Sequence, residues 1–316
     1  MKVVYFGSGD IGLPSLRWLL DAPTVGVVGV VTQPDRAAGR GMRVKCSPVK
    51  QLALDRGVPV HQPAKLRDPA CQADIAAIAA DLFVVMAYGQ IFPGALLDMP
   101  GLGALNLHAS LLPRHRGAAP VQAAILSGDA TSGVTAMWMD AGLDTGDILI
   151  QRGFDLDPEE TAGSLHERLA ALAPQVLAEA LGKIGAGSAP RIKQDGARAT
   201  YAPKLARDAG RVDWSCGAPE IARQVRAFHP WPGCTAEFGL PGGKMITAKL
   251  HRVVAEDGSA PPGEIREGFR VGCGGGGLLR VLELQAAGGR KLDASVFLRG
   301  HPVTRASMAL PAPEVR

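Results

Sequence analysis

The sequence predicts an α/β protein in which a doubly wound domain precedes a smaller antiparallel β domain. Over the first 150 positions, apolar runs rich in β-branched residues alternate with helix-like segments, and the runs are continuous, as in strands covered on both faces. The chain has 316 residues, which exceeds the usual length of one domain. After Lys204 the pattern changes to short runs separated by glycine and proline, which is typical of an antiparallel barrel or sandwich.

Composition and spacing place the elements of the first domain. Strands are expected at KVVYF (2–6), VGVVGVV (25–31), LFVVMA (82–87), ALNLH (104–108), GVTAMWM (133–139) and ILIQR (148–152). Helices are expected at IGLPSLRWLLD (11–21), PVKQLALDRG (48–57), CQADIAAIAA (71–80) and PVQAAILSG (120–128). The amphipathic stretch 161–184 is expected to be a helix that is interrupted or kinked before Pro174, because proline removes a helical hydrogen bond.

The second domain is expected to hold one helix and several short strands. The helix is APEIARQVRAF (218–228), and the strands are KMITAKLHRVV (244–254), GEIRE (263–267), FRVGC (269–273) and GLLRVLELQ (277–285). A basic connection rich in glycine, alanine and proline comes before them. We therefore expect a first domain at 1–190, a linker at 191–206 and a second domain at 207–316.

The composition disfavours several classes of protein. No apolar run approaches the roughly 20 residues that cross a bilayer, and the apolar run near the N-terminus is too short for a signal peptide. The five cysteines lie far apart without a C-x-x-C pair, so neither a disulfide framework nor a zinc site is indicated. We expect a cytoplasmic monomer with no metal and no membrane partner.

Positive charge is concentrated in the last third of the chain. Residues 1–203 hold 18 lysines and arginines against 19 acidic residues, whereas residues 204–316 hold 16 against 11. A basic domain favours an anionic partner such as a nucleic acid. A solvated surface with a chance excess of charge explains the same numbers.

A glycine pattern follows the first predicted strand. GSGDIG (7–12) matches G-x-G-x-x-G, which in that position is typical of dinucleotide binding. The second strand ends in Thr32 and Gln33, where a dinucleotide site needs an acidic residue for the ribose. We therefore expect a tight strand-to-helix turn rather than a nucleotide site.

The segment NLHASLLPRHRGAAP (106–120) gathers hydrogen-bonding groups where an apolar run ends. Asn106 and His108 are two residues apart in a strand, so their side chains leave the same face. Their N–H groups can converge on one oxygen, as they must where a carbonyl oxygen becomes an oxyanion. The alternative is a satisfied asparagine at a strand end beside a structural histidine.

A second polar segment, MDAGLDTGDIL (139–149), also follows a strand. The carboxylate of Asp144 in this loop would keep His108 protonated and therefore a cationic donor. An amide, an imidazole and a carboxylate without a serine or cysteine nucleophile predict group transfer between two bound substrates. We expect Ser110 to belong to a rigid loop that lines a pocket rather than to act as a nucleophile.

These segments resemble the folate-dependent formyltransferase family, in which Asn-x-His, an S-L-L-P loop and a downstream aspartate form the active site. TQPDRAAGRGMRVKCSPVKQLA (32–53), VVMAYGQIFP (84–93), RGAAPVQ (116–122) and RAFHPWPG (226–233) resemble the branch that acts on methionyl initiator tRNA. The matches run in order over essentially the whole chain. The chain departs from the family pattern at Ala109, His115 and Ile11, where glycine, tryptophan and phenylalanine are more common.

The resemblance implies a Rossmann-like formyltransferase domain, an OB-like barrel and direct transfer of a formyl group. The methionyl α-amine of the initiator tRNA would attack the formyl carbon on N10 of 10-formyltetrahydrofolate. Asn106 and protonated His108 would stabilise the oxyanion, and Asp144 would keep His108 charged. The residues expected to contact the folate co-substrate are Ser110, Leu111, Leu112, Pro113, Met86, Tyr88, Gly89 and Ile91.

The arginine-rich loop QPDRAAGRGMR (33–43) resembles an insertion of the tRNA-dependent branch. Arg36, Arg40 and Arg43 would supply positive charge for RNA phosphates. Lys204 and the basic C-terminal domain would extend this positive track. A solvated loop without an RNA partner is the alternative.

Three other functions remain open. Glycinamide ribonucleotide formyltransferase shares the Asn-x-His and Asp chemistry but typically lacks the loop and the barrel. A formyltransferase for an amino sugar nucleotide often carries a dehydrogenase domain. A catalytically silent tRNA-binding module would not need Asn106, His108 and Asp144.

Overall fold

A computed structural model describes residues 1–38 and 43–308. The chain separates into two compact units. The first contains Met1–Pro120, Thr131–Asp155 and His166–Pro203, and the second contains Val121–Ala130, Leu156–Leu165 and Lys204–Arg316.

The described elements up to residue 202 follow the predicted alternation of strands and helices. The strands are β1 (Lys2–Gly7), β2 (Gly26–Val31), β3 (Arg36–Ala38), β4 (Arg43–Lys45), β5 (Val60–His61), β6 (Leu82–Met86), β7 (Ala104–His108), β8 (Arg116–Gly117), β9 (Thr131–Trp138), β10 (Ile148–Asp155) and β11 (Tyr201–Ala202). The helices are α1 (Leu13–Asp21), α2 (Pro48–Asp55), α3 (Pro69–Ala77), α4 (Gly94–Leu97), α5 (Pro120–Leu126) and α6 (Ala162–Gly185).

The main sheet of the first unit has, among the described strands, the order β10-β9-β7-β6-β1-β2-β5. The five strands from β7 to β5 run parallel, and β9 and β10 add an antiparallel edge. The expected doubly wound architecture is confirmed, in a mixed sheet. Because Gly7 lies opposite Met86 and Asn106 opposite Val85, the chain leaves β1, β6 and β7 at the same edge of the sheet.

Two local expectations can be compared with the backbone of the first unit. The helix at 161–184 is not interrupted, since α6 runs through Pro174. In the GSGDIG turn, the buried Tyr5 hydroxyl donates to the Gly12 carbonyl at 2.9 Å, and a Cβ on Gly12 would overlap that hydroxyl. The glycine at position 12 therefore serves close packing of the turn against the first strand.

The stretch predicted as a linker groups with the first unit as far as Pro203. Ile192 pairs with Ile148 beside β10, and β11 pairs in parallel with β8. Part of the expected linker is therefore hydrogen-bonded to β10 and β8 of the first unit.

The second unit contains an antiparallel sheet and two further helices among the described residues. The helices are α7 (Ala218–Ala227) and α8 (Ala294–Gly300), and the strands are β12 (Cys234–Gly239), β13 (Met245–Glu256), β14 (Ile265–Arg266), β15 (Arg270–Gly272), β16 (Leu278–Ala286), β17 (Lys291–Asp293) and β18 (Arg305–Ala306). The path β14-β15-β16-β13-β12-β18 closes on itself, because Glu264 bridges to Arg305 between the two end strands. This closure removes the exposed edges that an open sheet would leave.

Within 1–38 and 43–308, no helix combines the length and apolarity needed to cross a membrane. The same residues contain no group of three or more histidine, cysteine, aspartate or glutamate side chains arranged to hold a metal ion.

Candidate active site

Strand β7 presents Asn106 and His108 from the middle of the main sheet. It lies between β6 and β9, where Asn106 is opposite Met137 and His108 is opposite Thr135. His108 is 6% exposed, and Asn106 is half-buried. The two-residue spacing places both side chains on one face, as the sequence predicts.

Asp144 reaches this face through the loop between β9 and β10. Strand β9 ends beside the start of β7, since Trp138 pairs with Leu105, so the loop must return along β7 to reach His108. Asp144 adopts the left-handed region at φ 53°, which aspartate tolerates better than most residues. Its Oδ2 accepts a hydrogen bond from Gly117 N at 2.7 Å, and its Oδ1 lies 3.4 Å from Asn106 Nδ2.

Both ring nitrogens of His108 face oxygen acceptors. Nε2 lies 2.9 Å from the His115 carbonyl oxygen, and Nδ1 lies 3.6 Å from Asp144 Oδ2. A carbonyl oxygen can only accept, so Nε2 carries a proton in this arrangement. Nδ1 faces the Asp144 carboxylate, so the ring is oriented by an oxygen acceptor at each nitrogen.

The S-L-L-P loop lies directly after β7 and is held through its main chain. The Ser110 carbonyl accepts from Thr135 Oγ1 at 2.6 Å, and the Leu112 carbonyl accepts from Gln151 Nε2 at 2.8 Å. Ser110 Oγ donates to the Arg114 carbonyl at 2.7 Å. Its hydroxyl is thus directed at the backbone of its own loop rather than at His108.

The segment expected to receive the pterin ring follows β6, the neighbour of β7. Met86 and Tyr88 are buried, and Tyr88 packs edge-to-face with Phe6 in the aromatic core. Burial raises the pKa of the Tyr88 phenol, which stays neutral. Ile91 is 68% exposed, and Gly89 has a positive φ of 85°. In this segment Ile91 has an exposed side chain, whereas the side chains of Met86 and Tyr88 are buried.

The arginine-rich loop contains a two-stranded hairpin in its described part. Arg36 begins β3 and Arg43 begins β4, and Ala38 pairs with Arg43. Arg40 lies outside the described residues. Lys204 is exposed and belongs to the second unit.

Several contributors to this site were missed in the sequence. Thr135 and Gln151 support the loop after β7, and the signal that could have found them is a polar residue inside an apolar strand. His115, one of the departures from the family pattern, is buried with a φ of 59° and supplies the carbonyl that contacts His108. Gln194 contacts the Asp144 loop from the stretch predicted as a linker, and no local pattern indicates that contact.

Comparisons with known proteins agree with this architecture. Residues 1–181 match the formyl transferase family, and residues 204–302 match the formyl transferase C-terminal domain. The chain is 48% identical over 296 residues to the methionyl-tRNA formyltransferase of Pseudomonas paraeruginosa, which covers 92% of this chain and 93% of the relative. It is 44% identical over 312 residues to that of Geotalea uraniireducens, with 98% and 97% covered.

A solved structure shows the same fold at lower sequence identity. WlaRD, a sugar 3N-formyl transferase studied in the presence of dTDP and 5-N-formyl-THF, superposes with a TM-score of 0.65 at 19% identity, covering 89% of this chain and 97% of WlaRD. The two family matches and the level of identity to the curated relatives decide the assignment. The chain belongs to the formyl transferase family and, within it, to the methionyl-tRNA formyltransferases.

Proposed function

We propose that the chain transfers the formyl group of 10-formyltetrahydrofolate to the α-amine of methionyl initiator tRNA. The observation that carries the proposal is the convergence of Asn106, His108 and Asp144, with Asp144 Oδ1 3.4 Å from the amide and Oδ2 3.6 Å from the imidazole. The proposal is also supported by the 48% sequence identity between this chain, over 92% of its length, and a methionyl-tRNA formyltransferase.

The reaction needs stabilisation of one oxyanion and the movement of one proton. The amine nitrogen attacks the formyl carbon, and the carbonyl oxygen becomes negatively charged. When the carbon–N10 bond breaks, the amine has lost a proton and N10 has gained one. The second N–H of Asn106 Nδ2 can donate to the oxyanion, and the His108 imidazolium stabilises it by its charge at short range.

Asp144 has two roles in this scheme. Its carboxylate balances the charge of His108, and its bond from Gly117 N fixes its orientation. Because its side chain is 13% exposed, a water molecule can reach it and carry the proton from the amine towards N10.

We assign the folate to the loop Ser110–Pro113 and to the chain at 86–91. Side-chain hydrogen bonds from Thr135 and Gln151 to main-chain carbonyls hold the loop after β7, and the exposed Ile91 offers an apolar contact for a flat ring. Leu143, 55% exposed beside Asp144, offers a second such contact.

We assign the RNA to two basic regions, each within its own unit. The first is the arginine-rich loop 33–43, with Arg36, Arg40 and Arg43, and the second is the basic stretch from residue 204 onwards, which begins with the exposed Lys204. Lysine and arginine contacts to phosphates supply affinity that depends on salt. A small-amine acceptor such as glycinamide ribonucleotide or an amino sugar nucleotide would not need these regions.

The experiment supplies 10-formyltetrahydrofolate with one acceptor at a time and measures formylated product. The acceptors are methionyl initiator tRNA, glycinamide ribonucleotide and UDP-4-amino-4-deoxyarabinose, and uncharged initiator tRNA is the control. Product with the charged tRNA alone is the expected result. Product with a small amine alone would retain the roles of Asn106, His108 and Asp144 and would overturn the RNA assignment.

A further inference from the structure

Gln194 links two segments of the candidate active site. Its Nε2 donates to the Asp144 carbonyl at 2.9 Å and to the Gly146 carbonyl at 2.8 Å. Its Oε1 accepts from Arg116 Nη2 at 2.7 Å and Nε at 3.1 Å. One amide therefore connects the loop that carries Asp144 to β8, which contains Arg116 and Gly117, and the Gly117 N–H binds the Asp144 carboxylate.

The loop around Asp144 needs support from outside itself. Asp144 adopts φ 53°, a left-handed conformation that costs free energy even for aspartate and that contacts from outside the loop would stabilise. At Gly146 the chain passes so close to the Trp138 carbonyl that a Cβ would overlap it. The two bonds from Gln194 lie at residues 144 and 146 and so fix the main chain at the aspartate and just after it.

The same stretch of chain supports the other partner of His108. Thr200 Oγ1 accepts from His115 N at 2.8 Å, and Arg116 N donates to the Thr200 carbonyl at 2.9 Å. We call residues 190–202 the bracing segment. They lie between the two ranges that match the family, 1–181 and 204–302, so neither match includes them.

We propose that the bracing segment completes the catalytic centre and that Gln194 is a positioning residue for Asp144. Gln194 acts through the main chain of residues 144 and 146 rather than by touching a substrate. An amide suits the position because the site needs donors for two carbonyls and an acceptor for Arg116 in one side chain. This inference rests on the proposed function for its kinetic consequence alone.

Two substitutions separate these contacts. Gln194→Ala removes the two bonds to the loop and the acceptor for Arg116. Gln194→Glu keeps an acceptor for Arg116, as an ion pair, but cannot donate to the carbonyls of residues 144 and 146. Gln175→Ala, at an exposed position in α6, is the matched control.

Hydrogen exchange tests the contact whether or not the chain formylates tRNA. We expect amide exchange in residues 141–147 to accelerate at least about tenfold in both Gln194 variants and to stay unchanged in the control. Unchanged exchange in this loop in either variant would overturn the inference.

Steady-state kinetics test its consequence. We expect both variants to lower kcat roughly 10- to 100-fold with less than about threefold change in KM for either substrate, because misplacing a catalytic group slows turnover without removing binding contacts. Both variants are assayed at least about ten degrees below their own thermal midpoints, so a loss of kcat cannot come from unfolding. Parent-like kcat in Gln194→Glu would overturn the positioning role. An inactive parent chain would overturn the proposed function and leave the exchange result to decide the inference.

Discussion

The Thr135 hydroxyl donates to the Ser110 carbonyl at 2.6 Å. The hydroxyl oxygen of Thr135 in turn accepts hydrogen bonds from Leu112 N at 3.1 Å and from Gln151 Nε2 at 2.8 Å. Thr135 is fully buried in β9. One hydroxyl therefore fixes the main chain on both sides of Leu111, in the loop that we assign to the folate.

Replacing Thr135 tests this fixation. Thr135→Val keeps the shape but leaves buried groups of Ser110 and Leu112 without partners, which costs about 1–3 kcal/mol of stability per group. We expect the thermal midpoint to fall by several degrees. We also expect the KM for 10-formyltetrahydrofolate to rise roughly three- to tenfold, because the loop that we assign to the folate is no longer held in one conformation. Thr135→Ser retains the hydroxyl and is the control. Equal folate KM values for the two variants would contradict the role of the hydroxyl.

The main sheet was predictable because its strands are continuously apolar. β1 and β6 are almost entirely buried, and such runs have few other structures available to them. The two-residue strands β5, β8 and β11 were not predicted, since each is defined by its partner rather than by its own residues. α6 continues through Pro174, so of the two expected effects of this proline the interruption does not occur.

The sequence predicted how the catalytic candidates are arranged only where they lie close together in the chain. Asn106 and His108 share a strand, so their common face follows from a period of two. The path of Asp144 back along β7 depends on the antiparallel pairing of β9, which the sequence does not specify. The contribution of Gln194 depends on where a distant segment docks, and that is a tertiary property.

Asn106→Ala tests whether the site performs chemistry. Removing one oxyanion donor typically lowers kcat about 100- to 1,000-fold. We expect this loss in formyl transfer, with equilibrium binding of folate and tRNA changed less than about threefold, because the lost interaction forms in the transition state. Rapid-quench turnover and filter binding measure the two quantities. A silent tRNA-binding module would lose neither, so an unchanged kcat would remove Asn106 from the mechanism.

Two histidines of the second unit predict a dependence of stability on pH. Burial lowers the pKa of both His229 and His251, whose rings lie 6.2 Å apart, and the nearby Lys249 and Lys291 lower it further. A histidine whose pKa is lower in the folded chain binds its proton more readily when unfolded. The free energy of unfolding therefore falls as pH drops below the ordinary value of 6.5.

Urea unfolding at about pH 7.5 and about pH 5.5 measures this dependence above the range in which most carboxylates titrate. We expect the double variant His229→Asn with His251→Asn to lose less stability between these pH values than the parent chain. His61→Asn, in the first unit, is the control. An equal loss in the double variant would show that other groups cause the dependence.

Substitution of Asp35 tests whether the hairpin binds RNA. Charge alone predicts tighter binding after its removal, whereas a structural role for Asp35 predicts weaker binding. It lies just before β3, where it forms an ion pair with Lys50 and accepts from Gln62 Nε2 at 2.9 Å. The hydrogen bond from Lys50 lowers the pKa of the Asp35 carboxyl, followed in effect by the bond from Gln62. These contacts fix the chain where it enters the hairpin that carries Arg36 and Arg43.

Asp35→Asn removes one negative charge beside this hairpin. If affinity for RNA reflected net charge alone, the variant would bind methionyl initiator tRNA more tightly. If the hairpin must be held in place, losing the ion pair should weaken binding, and we expect a KM for tRNA raised about three- to tenfold with an unchanged KM for folate. Asp55→Asn, on the exposed end of α2, makes the same charge change without this contact and is the control. Tighter tRNA binding by both variants would show that Asp35 acts through its charge alone. Weaker binding by Asp35→Asn alone would show that the Asp35–Lys50 ion pair must hold the hairpin in place for RNA to bind.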